Sequence, residues 1–220
     1  MYLAEAEERI EVCPRERARA APPLPSDRWL DFPHSAFSHH GGACCEIARQ
    51  WVTAMYFAQL NGGGLTSGPR WLREKYKWGP SRWPMHWCEA VKRKTIDCGA
   101  HAALAREAFL GRGLTAYPAQ LVQRCSAEAS EQWEAKWTGE DVSCHWLDAE
   151  RIYHEATALV VGEDELKIWD GSAGSWVDPS QGSGYGSLLA VRICAAGPFG
   201  GGDGLRWGDR RLKPGLWNQI

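Results

Sequence analysis

A cysteine stands at the start of a predicted helix in the segment TIDCGAHAALAREAFLGRGLT (residues 95–115). Apolar residues recur there at helical spacing, and the glycines that follow predict where the helix ends. Asp97, directly before Cys98, is a residue type that caps helix N-termini. A thiol in this position is close to backbone N–H groups and to the positive end of the helix dipole, which favours the thiolate. Cys98 is therefore a candidate nucleophile, and the alternative is a small buried apolar residue.

Two later segments carry the groups that a thiolate nucleophile needs. The segment IYHEATALVV (152–161) predicts a strand with His154 near its start, and LKIWD (166–170) predicts the returning strand of a hairpin that ends in Asp170. A nucleophilic thiol works with a neighbouring base, and a carboxylate orients that base. Cys98 precedes His154 by 56 residues, and His154 precedes Asp170 by 16. A helix N-terminus packed on such a hairpin can supply all three groups.

In this order, the segments DCGAHAALAREAFLGRGL, HEATALVV and WDGSAGSW resemble the transglutaminase-like branch of the papain-like cysteine enzymes, over about residues 87–180. The resemblance implies an α+β fold in which a nucleophile helix packs on an antiparallel sheet, here with an elaborated helical N-terminal part. It also implies a catalytic cysteine on the helix, a histidine on a strand and an aspartate on the next strand. Cys98, His154 and Asp170 match that order and are the predicted catalytic residues.

Three alternatives to this assignment stay open. His145 is a rival base, although His154 lies at the head of the apolar strand. Asp178 is a rival carboxylate, although an Asp-Pro pair also suits a turn, and Asp170 is followed by Gly and Ser as in the family. GGACCE (41–46) faintly resembles the cysteine motif of the arylamine N-acetyltransferases, but no histidine follows at a suitable distance.

Substrate-binding residues are expected around the nucleophile. Trp83 and Trp87 precede Cys98, where transglutaminase-like proteins place residues of the substrate cleft, and core packing is the alternative for both. His101 follows Cys98 by about one helical turn and is expected to pack there or to line the pocket, rather than to act as the base. The backbone N–H of Cys98 is the expected oxyanion donor.

The composition is typical of a globular protein of one domain. The chain has 220 residues, enough to bury a sizeable core, and its formal net charge of −2 gives no general attraction to nucleic acid or to an anionic membrane. The N-terminal segment MYLAEAEERIEV lacks the pattern of a signal peptide, and no segment has the length of a membrane span. We therefore expect a cytoplasmic protein in which most of the eight cysteines are reduced.

The sequence divides into an N-terminal arm (1–32), a single domain (33–196) and a glycine-rich tail (197–220) that is expected to wrap the surface or to be partly disordered. Within the domain, residues 33–86 form a helical, tryptophan-rich part and residues 87–196 form the catalytic core. A helix is predicted over Ala43–Leu60. Its expected buried face comprises Ile47, Trp51, Ala54, Met55 and Ala58.

Four potential metal ligands lie close together in the sequence: His39, His40, Cys44 and Cys45. Adjacent ligands of this kind do not match the usual spacings of zinc sites, in which the paired cysteines or histidines are separated by several residues. No metal and no cofactor are therefore predicted.

These residues predict an enzyme that transfers an acyl group from an amide or ester through a thioester on Cys98. Water as the acceptor gives a hydrolase or peptidase, and an amine gives an acyltransferase with a peptide-modifying or biosynthetic role. The expected substrate is a peptide, a protein or a small-molecule amide, without a nucleic-acid or membrane partner. The alternatives from other classes are a non-catalytic module that binds a peptide or partner on the same scaffold, and a Cys/His metal-binding protein.

Overall fold

The protein has an α+β fold in this computed structural model, which describes residues 7–12, 42–64, 66–79, 86–129, 131–132, 146–148 (backbone), 150–182, 186–195 and 204–220. The helices that position the site are α1 (Ala43–Gly63), α2 (Ser67–Lys75), α3 (Trp87–Arg93) and α4 (Cys98–Gly111). The strands are β1 (Lys77–Trp78), β2 (Thr95–Ile96), β3 (Ala116–Arg124), β4 (Trp146–Asp148), β5 (Arg151–Val160), β6 (Leu166–Asp170), β7 (Ser175–Trp176), β8 (Leu188–Ile193), β9 (Leu205–Trp207), β10 (Arg210–Leu212) and β11 (Trp217–Gln219).

An antiparallel sheet forms the main β-layer. Its strands lie in the order β11-β8-β3-β5-β6-β7, and β4 also pairs with β5. β3 and β5 pair along their whole length, from Ala116 opposite Leu159 to Arg124 opposite Arg151, without a shift of register. Because side chains alternate along a strand, this unbroken register fixes which residues face each side of the sheet. The α+β class and the strands predicted after the cysteine helix are confirmed.

Helix α4 lies between the sheet and the other helices. On the sheet side, the Thr157 hydroxyl donates a hydrogen bond to the Ala102 carbonyl at 2.8 Å, and Phe109 packs in a cluster with Leu159 of β5. On the other side, Leu104 belongs to the hydrophobic core that α4 shares with α1, α2 and α3. The small apolar residues of α4 allow this close approach on two sides.

The buried face of α1 differs from the prediction. The buried side chains are Cys45, Ala48, Trp51, Val52, Tyr56 and Leu60. Ile47 is 59% exposed, and Ala54 and Ala58 are also exposed, so only Trp51 and the partly buried Met55 of the predicted face contribute to the core. A shift of one residue turns a helix face by about 100°, and several stripes of α1 are apolar. The contacts with α2, α3 and α4 select the stripe that carries small residues and Tyr56.

Part of the predicted N-terminal arm packs on the helical layer. Ile10 is 2% exposed and belongs to the same core as α1. Glu7 forms ion pairs with Lys94 and with Lys75, the latter at 3.4 Å. The segment 7–12 is therefore fixed to the helices by an apolar side chain and by charge.

Residues 204–220 belong to the fold, so the prediction of a surface tail is wrong for them. β9 and β10 form an antiparallel hairpin across a Gly-Asp turn, and β11 pairs with β8 at the edge of the sheet. The side chains that this part buries against the sheet are Leu205, Trp207 and Leu212. A Gly-Asp pair between alternating apolar residues was a hairpin signal in the sequence, but the high glycine content concealed it.

Candidate active site

Cys98 occupies the first position of α4. Asp97 caps the helix, because its Oδ1 accepts a hydrogen bond from the Ala100 backbone N–H at 2.9 Å. This is the predicted cap. The residue Cys98 is only 3% exposed, so a substrate can reach its thiol only if the residues that cover it move.

The surroundings of Cys98 favour the neutral thiol. Burial raises the pKa of Cys98 well above its ordinary value, and the carboxylates of Glu155 and Asp97 raise it further. A hydrogen bond from the Glu155 backbone N–H acts in the opposite direction. The thiolate that we expect at a helix N-terminus is thus opposed by desolvation and by three nearby negative charges, the third of which is Asp170.

His154 and Asp170 form a hydrogen-bonded pair inside the protein. His154 Nε2 lies 2.8 Å from Asp170 Oδ2, and both residues are fully buried. Asp170 Oδ1 also accepts hydrogen bonds from the Ser172 backbone at 3.0 Å, the Ser172 hydroxyl at 2.7 Å and the Ala173 backbone at 3.0 Å. Burial by itself would raise the pKa of Asp170, but His154 and these donors outweigh it and hold the pKa well below its usual range. Asp170 is therefore a carboxylate with a fixed orientation.

Strand β5 carries the two candidate partners of the thiol on different faces. Thr157 faces α4, as its hydrogen bond to that helix shows, and alternation along the strand puts Glu155 on the same face. His154 is one residue away, so alternation directs its side chain to the other face, although the charge of Asp170, which it binds, still acts on Cys98. Glu155 is therefore the β5 carboxylate on the side of Cys98.

Glu155 begins a buried polar network that the sequence analysis missed. The Tyr153 hydroxyl donates to Glu155 Oε1 at 2.6 Å, and Gln120 Nε2 donates to the Tyr153 hydroxyl at 2.7 Å. Arg192 Nε in turn donates to Gln120 Oε1 at 2.6 Å. The signal was present in the sequence, since Gln120 and Glu155 are polar residues within otherwise apolar strands, and such residues need partners when buried.

His101 is a buried neutral imidazole beside this site. It is 1% exposed, and neither ring nitrogen has a hydrogen-bond partner among the described residues. Burial lowers the pKa of His101 to about 4, against the opposing effect of Asp170 and Asp97. Its backbone lies against Gly171, where an added Cβ would come within 3.1 Å of the His101 carbonyl oxygen. The predicted pocket residue therefore lies between α4 and the turn after β6.

The remaining predicted site residues have separate positions. Trp87 is 2% exposed in the core of the helical layer, which agrees with its core-packing alternative. Trp83 and the rival base His145 lie outside the described residues. Asp178, the rival carboxylate, accepts hydrogen bonds within an exposed turn, whereas the carboxylate bound to the histidine is Asp170.

Comparison of the chain with protein-family models, curated proteins and solved structures found no match. Among the helices of the described residues, none combines the length and the apolar character that crossing a bilayer requires.

Proposed function

We propose that the protein is a cysteine-dependent acyl-transfer enzyme in which Cys98 is the nucleophile, His154 the acid and base, and Asp170 the residue that orients His154. The observation that carries this proposal is the 2.8 Å hydrogen bond between His154 and Asp170, two fully buried side chains. A buried carboxylate is costly unless it is hydrogen-bonded, and an imidazole fixed by a carboxylate is the arrangement that acyl-transfer enzymes use. The resemblance to the transglutaminase-like enzymes supports the same roles.

The reaction takes place in two halves. The Cys98 thiol passes its proton to His154, and the sulfur attacks the carbonyl carbon of an amide or ester. The tetrahedral intermediate collapses, the leaving amine or alcohol takes the proton from His154, and a thioester remains on Cys98. Water or an amine then gives a proton to His154 and attacks the thioester, which releases the product and restores the thiol.

This mechanism makes two demands on the geometry. Because His154 uses Nε2 to bind Asp170, Nδ1 is the nitrogen that exchanges a proton with the thiol. Cys98 is only 3% exposed, and the β5 side chain on its side of the sheet is Glu155. Acylation therefore also requires an opening that brings the thiol to both the substrate and His154. Substrate binding supplies that opening in the proposed enzyme.

A non-catalytic binding module on the same scaffold is the second candidate. It is favoured by the deep burial of Cys98 and by the raised pKa of its thiol, which burial and Glu155 cause. In such a module the buried pair of His154 and Asp170 only holds β5 and β6 together.

Alkylation by iodoacetamide between mildly acidic and mildly basic pH distinguishes the two candidates, with each modified cysteine located by mass spectrometry. Cys125 is the reference thiol, because it is also 3% exposed and burial also raises its pKa. For the enzyme we expect Cys98 to react at least about tenfold faster than Cys125 at acidic pH, and to lose this advantage in His154→Gln. Equal rates for the two cysteines would exclude the enzyme and leave the binding module.

An activated ester gives an independent measurement. The enzyme should form a thioester whose acyl mass is found on Cys98, and hydroxylamine should remove it. Glu155→Gln is the matched variant on the neighbouring residue: it removes a negative charge beside Cys98 but leaves His154 in place, so acylation should persist or increase. Loss of acylation in Glu155→Gln, with acylation retained in His154→Gln, would reassign the base to Glu155.

A further inference from the structure

Three cysteines that are far apart in the sequence meet in the helical layer. Cys44 and Cys45 lie in the first turn of α1, and Cys88 lies in α3. Their sulfur atoms are all within 4.8 Å of one another, and the Sγ atoms of Cys45 and Cys88 are 3.3 Å apart. Cys45 is 1% exposed and Cys88 is fully buried. The cluster is separate from the candidate active site.

The sulfur spacing is that of a metal–thiolate centre. Zinc binds thiolate sulfur at about 2.3 Å in a tetrahedral arrangement, which sets neighbouring sulfurs roughly 3.8 Å apart. The observed separations, from 3.3 Å to within 4.8 Å, bracket this value. Small side-chain adjustments would therefore seat one ion between the three sulfurs.

Cys44 is disulfide-bonded in this structure, so its sulfur has to be reduced before it can bind an ion. Zinc is usually four-coordinate, so the three sulfurs of the cluster leave one position for a water molecule.

Burial raises the pKa of the Cys45 thiol to about 11, and the local charge and backbone hydrogen bonds act in the opposite direction. α1 is 21 residues long and begins at Ala43, so the positive end of its dipole lies at Cys44 and Cys45. The backbone N–H groups of Trp87 and Cys88 donate hydrogen bonds to the Cys45 sulfur. Backbone donors of this kind orient and stabilise a thiolate that binds a metal.

We propose that the reduced protein binds one zinc ion, or another divalent cation that prefers sulfur, through Cys44, Cys45 and Cys88, with a water molecule in the fourth position. A phosphine reductant supplies two electrons and water supplies two protons, which opens the disulfide of Cys44, and the ion then displaces three protons from the three thiols. The ion joins α1 to α3, and both helices pack in the core that supports α4. The spacing of neighbouring residues in the sequence does not reveal this cluster, because Cys88 is 43 residues from Cys45.

The test measures metal on the full chain. The protein is reduced with a phosphine, incubated with zinc, freed of unbound ion and assayed by mass spectrometry for zinc per chain. We expect about one zinc, and cobalt in its place should show the intense sulfur-to-metal absorption of a tetrahedral thiolate site. Cys88→Ser should weaken zinc binding by at least about tenfold, whereas Cys125→Ser, a buried cysteine outside the cluster, should leave it unchanged.

Circular dichroism shows whether the Cys88→Ser variant folds. If it does not fold, zinc binding to the reduced wild-type protein tests the proposal. Reduced, folded wild type that holds no zinc, or that forms a Cys45–Cys88 disulfide under the same conditions, would overturn the proposal. Zinc binding that Cys88→Ser leaves unchanged would overturn it as well. Neither result bears on Cys98, whose alkylation is measured separately.

Discussion

Asp170 and Asp178 occupy two turns of the same kind in different surroundings. Each carboxylate accepts from the backbone and hydroxyl of the serine two residues later and from the next backbone N–H. Only Asp170 is buried, and only Asp170 binds His154. At the scale of the residue, burial and one imidazole therefore separate a candidate catalytic carboxylate from an ordinary turn residue.

Asp170→Asn should cost about 3 kcal/mol of unfolding free energy at neutral pH, because it leaves His154 without its buried anionic partner. The pKa of Asp170 is held below its unfolded value of about 3.9, so its contribution is fully present above that pH and is lost as the pH falls through the lower folded value. Urea denaturation at a series of pH values measures this difference. Asp178→Asn, the matched control, should change stability much less, and equal losses would show that the turn alone matters.

His101 should make the protein sensitive to mild acid. Burial lowers its pKa to about 4, below an unfolded value of about 6.5, so the unfolded chain takes up the proton first. The stability from this group is present above pH 6.5 and falls by about 3 kcal/mol as the pH drops toward 4. His101→Leu should remove this dependence. If the stability of His101→Leu falls with decreasing pH as steeply as that of the wild type, His101 is not a buried neutral imidazole.

At the scale of the element, Asp97 affects both the stability of α4 and the charge at its N-terminus. Its Oδ1 caps Ala100, while its charge helps to raise the pKa of Cys98. Asparagine keeps the hydrogen-bond acceptor of the cap but has no charge, so Asp97→Asn separates these two roles.

Asp97→Ala should lower the unfolding free energy by about 1 kcal/mol, since it removes the cap, whereas Asp97→Asn should lower it by only a few tenths. Asp97→Asn should also lower the pKa of Cys98, which is measured as faster alkylation at neutral pH. Chemical denaturation and alkylation on the same samples test both statements. Equal stability of the two variants would mean that the cap contributes nothing.

At the scale of the whole molecule, α4 joins two hydrophobic layers. Leu104 packs with α1 to α3, whereas Phe109 packs with β5 and β6. A defect in α4 should therefore disturb the helices and the sheet together.

Leu104→Ala should cost about 3 kcal/mol, because Leu104 is 2% exposed and its loss leaves a cavity between packed helices. We expect far-UV circular dichroism and tryptophan fluorescence to shift to the same lower urea midpoint. Leu110→Ala is the control on the same helix, since Leu110 is 41% exposed and should have a small effect. Separate transitions for the two probes would show that the layers unfold independently.

The sequence by itself determined the elements whose signals are local. Helical spacing with Asp97 as cap predicted α4, and alternating apolar residues predicted β5 and β6, because these patterns depend on neighbours a few residues apart. The same strands brought Asp170 within hydrogen-bonding distance of His154.

Only the tertiary structure decided the rest. It selected the buried stripe of α1, paired the C-terminal segment with the sheet, and put Glu155 rather than His154 on the face of β5 that meets α4. It also brought Cys88 to Cys45. These features depend on which surfaces far apart in the chain come into contact. A local pattern shows that a face is apolar, but only packing decides what covers it.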